Sequence, residues 1–544
     1  MKGKFVQRKT TQAEKNGRSA SGSNASASAK TMSPPQELSQ TRRVLVTIGI
    51  MIGMFLAALD ATAVSTAMPT VVSSLGGLSI YSWVFSAYIL TSTVTLPLWG
   101  KFSDIYGRRI FYILGVALFL LGSALSGQSK SMVELIIFRA IQGLGGGALL
   151  TLGMIIIGEV FSLKERAKIQ GLFGGVWGLS SIVGPIIGGF ITDHLSWRWV
   201  FYLNVPFGFI AATVMGFVLK EQIKNKKTSL DYAGGIVLTA LITIFLLGLM
   251  EIGKESGWNS ILALGMFVLC PLLLWLFIFI EKRTEDPILP LDLFSNRFFK
   301  VSAITGFLIG MAMFGSISFI PLFVQGVIGT NATGAGSVLT PLLLGWVFFS
   351  SISGRLLLRF KYRPLVIVGT GLVTIGFFLL SRWNESTSRS VATRDMVFLG
   401  CGMGMILIPL LLGVQNSVPK RQLGIATSGT QFFRSIGGAV GVSIMGTVMG
   451  AYMHLELKSL SRDVSLKLSS LSPDSLVNPI ERQSLPKEAL DTLRGVFAHS
   501  LHYVFIAGLG IALLAFISAF LVPHEKAVDR IDEEHRAVKK VKSS

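Results

Sequence analysis

Asp60 lies alone in an apolar run from Val44 to Thr66, and Arg139 lies inside a later apolar run. Each run is long enough to cross a bilayer, which takes roughly 20 residues. A carboxylate at bilayer depth costs about 2.5–3.5 kcal/mol on insertion scales, so it faces a partner or a wet cavity and commonly handles ions or protons. At 1.5 Å per helical residue, both side chains sit about 10 Å below the same membrane boundary. An acid and a base at one level are expected to face each other. Burial favours the protonated carboxyl and a guanidinium favours the carboxylate, so movement that separates the pair would load a proton. The plainer alternative is a static ion pair. Glu159, Asp193, Glu251, Glu281 and Glu385 fall at span ends or in loops, so Asp60 is read as the one carboxylate at depth. One acid suggests one proton per cycle. Exchange of one proton for a monocation would be electroneutral, avoiding about 2.3 kcal/mol per charge per 100 mV.

A second cation, Arg434 in Gln431-Phe432-Phe433-Arg434, is about ten residues into its own apolar run and needs acceptors, such as Gln431 and backbone carbonyls. It could brace its bundle, the default reading, or neutralise an anionic substrate. Gln142, Met154, Trp177, Met313, Phe314 and Trp346 are candidates to line an adaptable, largely apolar substrate cavity; packing or lipid contact is the commoner role for any one of the apolar ones. Gly143-Leu144-Gly145-Gly146-Gly147 is glycine-rich but has no following Lys-Ser/Thr, so it reads as a packing face and not a phosphate cradle. No catalytic constellation, metal cluster or cofactor motif is evident, and no enzyme is expected.

The elements that must hold these residues follow from composition. The 544-residue chain is 51% hydrophobic and only 14% charged, with mean hydropathy +0.62. That balance is too apolar for a soluble protein of this size and implies an all-α polytopic membrane protein. A β-barrel is excluded because the apolar segments are long and continuous. The net charge of +20 does not point to nucleic acid, because Lys and Arg cluster in every second loop. That alternation marks those loops, and both termini, as cytoplasmic. Cys270 and Cys401 both fall inside expected spans, which leaves no disulfide framework. The first span is read as an uncleaved anchor, since Asp60 beside Ala61-Thr62-Ala63 argues against a cleavage site.

About fourteen apolar segments are expected. Residues 1–43 read as a disordered basic cytoplasmic tail, 44–220 as a six-helix bundle, and 221–300 as two inserted transmembrane helices with a cytoplasmic linker. Residues 301–522 read as a second six-helix bundle carrying an external loop, 453–497, and 523–544 as a cytoplasmic tail. The 453–497 stretch has some helical spacing and is either a solvated loop or a docking surface; in a double-membraned bacterium a periplasmic adaptor is its candidate partner. An internal repeat supports the two-bundle reading. The segment Gly100 to Arg109 follows the second span and Gly354 to Arg363 the tenth, with glycine, an aromatic and terminal basics in register. Parallel repeats of this kind mark transporters with a site at the bundle interface.

The loop Gly100-Lys101-Phe102-Ser103-Asp104-Ile105-Tyr106-Gly107-Arg108-Arg109 resembles the signature loop of the major facilitator superfamily. Its glycines permit close approach and a tight turn. Asp104 can pair with Arg108 or Arg109, forming a latch that breaks as the halves rock. In the second copy Leu358 replaces the aspartate, so that latch is degenerate. Leu59 to Val64 with Ala67-Met68-Pro69 is similar to the first-helix motif of the fourteen-span drug:proton antiporters, and Arg139-Ala140-Ile141-Gln142-Gly143 to the fourth-helix motif. Gly178 through Gly184-Pro185-Ile186-Ile187-Gly188-Gly189 resembles the fifth-helix antiporter motif, in which a missing backbone donor and flanking glycines suit a flexible, closely packed helix. Trp197 to Phe201 with Asn204-Val205-Pro206 resembles the entry to the sixth span, and Leu230 to Gly234 the start of the extra helix pair. The likeness covers roughly residues 44–522. It implies proton-coupled export of amphipathic or cationic drugs by alternating access, with a small-molecule substrate, protons and the lipid bilayer as partners. Export of one physiological solute, proton-coupled uptake, and a non-transporting sensor are the alternatives. Substrate and oligomeric state are not legible.

Overall fold

Long apolar runs whose only breaks are Gly, Pro and short polar loops have one way to satisfy their backbone in a bilayer, which is to close every hydrogen bond within a helix. The computed structural model describes residues 39–161, 163–219, 231–252, 260–284, 287–289, 291–357, 359–419, 422–459 and 487–524, and among these the regular structure is helical. The helices are α1 (Gln40–Leu75), α2 (Tyr81–Tyr106), α3 (Arg108–Gln128), α4 (Met132–Val160), α5 (Leu163–His194), the short α6 (Arg198–Tyr202), α7 (Asn204–Val218), α8 (Tyr232–Ile252), α9 (Ile261–Glu281), α10 (Arg297–Gly326), α11 (Ala332–Leu356), α12 (Tyr362–Leu380), α13 (Arg389–Ser417), α14 (Leu423–Ser459) and α15 (Lys487–Ala519). Among the described residues, eleven helices are long and apolar enough to cross a membrane, with Ala233–Leu249 a shorter apolar helix.

With α6 and α7 counted together as the one span Arg198–Val218, successive helices alternate in direction. The start of α1 and the end of α15 therefore share one face, here the terminal face; the opposite one is the distal face. The expected first boundary at residue 44 falls four residues late. Ser39 caps α1 by accepting from the Arg42 amide at 3.4 Å, so the helix starts in the polar stretch ahead of the apolar run. The expected loop 453–497 is also shorter than its polar composition suggested. α14 runs on to Ser459 and α15 begins at Lys487. Tyr452 stacks on Tyr503 with ring centroids 3.6 Å apart, and His499 Nδ1 lies 2.6 Å from Glu456, so packing between the two helices continues past the apolar region. Residues 460–486, most of the 1–43 tail and nearly all of the 523–544 tail lie outside the described residues.

Two bundles repeat one pattern of contacts. In the first, α1 packs on α5 and α7, α2 on α4, and α3 on α4 and α7. In the second, α10 packs on α14 and α15, α11 on α13, and α12 on α13 and α15. The repeat extends to single glycines. Gly143, Gly145 and Gly147 on α4 have as counterparts Gly400, Gly402 and Gly404 on α13. A Cβ on Gly143 would overlap the Tyr88 carbonyl, and one on Gly400 the Leu342 carbonyl. Gly145 abuts the backbones of Gly115 and Phe119, and Gly402 those of Gly369 and Val373; Gly147 meets the Ser92 carbonyl and Gly404 that of Trp346. Backbone-to-backbone approach of this kind holds helices together where no hydrophobic effect operates between them. The inserted α8 packs on α9, α14 and α2, with Thr447 Oγ1 donating to the Leu249 carbonyl at 2.8 Å.

Candidate functional site

Four helices of the first bundle converge on one carboxylate. Asp60 and Arg139 are each 1% exposed, and Gln142 and Asn204 are fully buried, so the acid faces protein and not lipid. Arg139 Nη1 donates to Asp60 Oδ2 at 2.5 Å and to Gln142 Oε1 at 2.8 Å. Gln142 Nε2 donates to Asp60 Oδ1 at 2.9 Å, and Asn204 Nδ2 donates to the same oxygen at 3.3 Å. Asn204 in turn donates to Ser123 Oγ at 3.0 Å, and Ser123 donates to the Phe201 carbonyl at 2.8 Å. The guanidinium also reaches the Val84 carbonyl at 3.4 Å and lies over the Tyr88 ring, 4.2 Å from its centroid.

Local structure explains how these groups meet. Arg139 and Gln142 are three residues apart on α4 and share a face. Gly122 on α3 lacks the Cβ that would overlap the Gln142 backbone, so α3 closes behind the pair. Asn204, the first residue of α7, presents its amide to the carboxylate; Leu203 ahead of it is itself helical, with φ −55° and ψ −31°, so α6 leads into α7 without a change of direction. Buried charges are tolerated when they are paired and their remaining lone pairs are satisfied, and both Asp60 oxygens have donors. The Oδ1 of Asn204 is buried with no partner, the one acceptor of the network left open. Gln142, expected as a cavity residue, belongs to this network. Ser123 and Tyr88 were not singled out in the sequence, and Asn204 was named only as part of the motif that opens the sixth span; a polar residue opening an apolar helix was a usable signal for its role.

The expectation that Asp60 is the one carboxylate at depth is corrected by Asp395. It lies six residues into α13, about 9 Å along the helix, and is 1% exposed. Trp383 Nε1 donates to its Oδ2 at 3.0 Å, and Arg394 Nε and Nη2 donate to its Oδ1 at 2.9 and 2.8 Å. Arg394 is largely exposed, so this acid is tied to the α12–α13 turn and not to a buried base.

The fifth-helix motif sits where α5 meets both α1 and the other bundle. Gly184 and Gly188 leave room for Thr62 and Ala63 of α1, Gly178 for Val347 of α11, and Gly189 for Thr333; the Pro185 carbonyl lies against Gly336. Just beyond, Asp193 accepts from the Ala332 amide at 3.1 Å, the Thr333 amide at 2.9 Å and Thr333 Oγ1 at 2.5 Å. A carboxylate of one bundle thus caps the N-terminus of a helix in the other, a pairing that its place at a span end did not reveal. Gln325 Nε2 donates to the Thr66 carbonyl at 2.9 Å, Tyr81 to the Ser318 carbonyl at 2.6 Å, and Ser86 lies 3.0 Å from Ser443. The described polar contacts between the bundles lie on the distal half.

In the signature loop Gly107 has φ 109°, a conformation suited to glycine, and turns the chain from α2 into α3. Arg108 Nη1 donates to the Gly100 carbonyl at 3.3 Å and to Ser103 Oγ, while Arg109 is exposed. The side chains of Asp104 and Trp177 lie outside the described ones, so the latch pair remains a proposal. Of the cavity candidates, Met154 is exposed and Met313 is buried. Phe314 packs on Gly438. Phe314 and Trp346 are half-buried, Gln431 is exposed and Arg434 half-buried. Among the described residues no group of three His, Cys, Asp or Glu is placed to hold a metal.

Residues 50–442 match the family model described as Major Facilitator Superfamily. The chain belongs to the major facilitator superfamily. Among similar members is the multidrug transporter protein MdtP of Bacillus subtilis, 39% identical over 94% of this chain and 99% of its own length. Multidrug resistance protein 3 of the same species is 36% identical over 88% of this chain and 95% of its own. Among solved structures, a bacterial homologue of the human lysosomal transporter Spinster, in an inward-facing and unoccupied conformation, superposes with TM-score 0.66 at 15% identity, over 89% of this chain and 97% of that one. Membership makes this chain a multi-pass membrane transporter and not an enzyme.

Proposed function

We propose that this major facilitator protein exports amphipathic or cationic compounds across the cell membrane in exchange for protons, with both termini in the cytoplasm. The positive-inside charge pattern makes the terminal face cytoplasmic. The distal contacts then describe a state closed to the outside. The relatives named as multidrug transporters support drugs as the substrate class.

The observation that carries the coupling is the Asp60 network: a carboxylate buried between α1 and α4, balanced by Arg139, Gln142 and Asn204. A proton arriving from outside neutralises Asp60 and removes the charge that holds Arg139. Rotation of the Asn204 amide then turns its open Oδ1 toward the new carboxyl O–H. α1 is released from α4, and because α1 also packs on Gly184 and Gly188 of α5, the helix whose Gly178 and Gly189 abut α11, the change reaches the seam between bundles. Release of the proton to the cytoplasm restores the ion pair. The Asp104 latch and any contact of the 453–497 region with an adaptor are further parts of this proposal.

Inside-out vesicles carrying a respiration-driven pH gradient test it. Ethidium should dissipate the gradient when the wild-type chain is present and fail to do so with Asp60→Asn at equal membrane level. Full dissipation by Asp60→Asn would refute the coupling role.

A further inference from the structure

Half-buried Arg434 differs from Arg139, the cation buried in the first bundle. Its Nη2 donates to Gln431 Oε1 at 2.7 Å, its Nε is buried with no partner, and among the described residues no carboxylate lies within ion-pair distance of it. A guanidinium held by a single neutral amide at this depth is incompletely satisfied.

The helix geometry shows where the pair looks. α14 turns Ala439 and Ser443 toward Ser86 of α2 and Gly437 and Gly441 toward Phe307 and Met311 of α10. At 3.6 residues per turn, Gln431 falls about 80° from Ala439 on one side and about 80° from Gly441 on the other. It therefore faces between an inner helix of each bundle and away from α8, which touches α14 at Thr447 on the opposite flank. Gln431 is exposed, as are Ser428 and Ile425 on the turns below it. The pair thus opens on the gap between the bundles, on the terminal side of the closed distal seam. A Cβ on Gly306, one turn of α10 below the Gly310 that touches the Arg434 carbonyl, would meet no atom within 4 Å. The half-buried rings of Phe307 and Phe314 on α10 supply an apolar wall beside it.

We infer that Arg434 and Gln431 form a subsite for the acidic group of amphiphilic carboxylates, extending the substrate range beyond neutral and cationic compounds. This rests on the transporter reading above. The planar guanidinium fork matches a carboxylate bidentately, which an ammonium does not. Gln431 holds the fork in place and adds an amide donor, while the ligand's apolar body lies along α10.

Binding to purified protein in nanodiscs tests the subsite without any proton gradient, using a dansyl-labelled fatty acid and the matching primary amide as probes. Arg434→Gln should weaken binding of the acid at least tenfold and leave the amide within twofold. Arg434→Lys should lose most of the preference for the acid, because it keeps charge without the fork. Gln431→Ala, a milder change should Arg434→Gln fold poorly, should weaken the acid about threefold and spare the amide. Equal losses for both probes would make Arg434 a brace, and unchanged acid binding would remove it from the site; either result overturns the inference. Ethidium efflux from cells separates this from the export reading. Absent efflux with Arg434-dependent acid binding would sink export and leave the subsite, whereas normal efflux with Arg434-independent binding would do the reverse.

Discussion

The two bundles share a frame and differ in what they bury within it. The three glycines of α4 recur on α13, each 257 positions later, against matching backbone neighbours. Carried over by the same offset, Arg139 and Gln142 correspond to Met396 and Leu399, both fully buried. α10 contains no Asp or Glu at all. One bundle therefore holds a charged network where the other holds plain apolar packing. The duplicated scaffold does not need the charges to fold, so their retention in the first bundle calls for a functional reason. Replacing buried ion pairs by apolar residues is often neutral or stabilising, and the second bundle presents that replacement already made.

The largest effect should come from breaking the pair on one side. Asp60→Ala leaves Arg139 buried and uncompensated, an expected loss of about 3–5 kcal/mol, read as a sharp fall in thermal stability in detergent. Rebuilding the first bundle in the image of the second, with Asp60→Leu, Arg139→Met and Gln142→Leu together, should recover most of that stability while proton flux in vesicles stays absent. If the triple variant still moved protons, the comparison would lose its meaning. Next come the shared glycines. Gly143→Ala and Gly400→Ala should each cost about 1–3 kcal/mol, as overpacking does, and by similar amounts, because each Cβ would meet the carbonyl at the same point of the repeat. A large difference between them would show that the frames are not equivalent. Asp193→Asn weakens the cap on α11 by about 1 kcal/mol. It should raise labelling of Thr66→Cys by a membrane-impermeant maleimide applied from the distal side. The smallest effect is expected at Asp395→Asn, about 1 kcal/mol or less of stability, with proton flux unchanged, since its partner Arg394 is exposed to solvent screening.

Much of this was legible in the residues because charge in an apolar run is conspicuous. Asp60 and Arg139 could be matched by depth alone, and the repeat of Gly100 at Gly354 announced the second bundle. Asn204 was harder, because nothing along the chain tells that α7 packs against α1 at the level of Asp60. Asp395 escaped notice because it follows Arg394 in a stretch that reads as a polar loop end, and its burial depends on Trp383 folding back from the preceding turn. The Asp193 clasp was beyond reach for another reason: two of its three donors are backbone amides of the other bundle, and backbone has no sequence signature. Met313 is buried, in keeping with packing, the commoner role for such a side chain.

The inserted α8 has a consequence for how the molecule can gape. It touches α2 of one bundle and α14 of the other, so it straddles one seam like a strap across a book's spine. Among the described residues the α5–α11 seam carries no such bridge. Parting of the bundles would then be lopsided, wider along the unstrapped edge, and a compound dissolved in the surrounding leaflet would meet one side door instead of two.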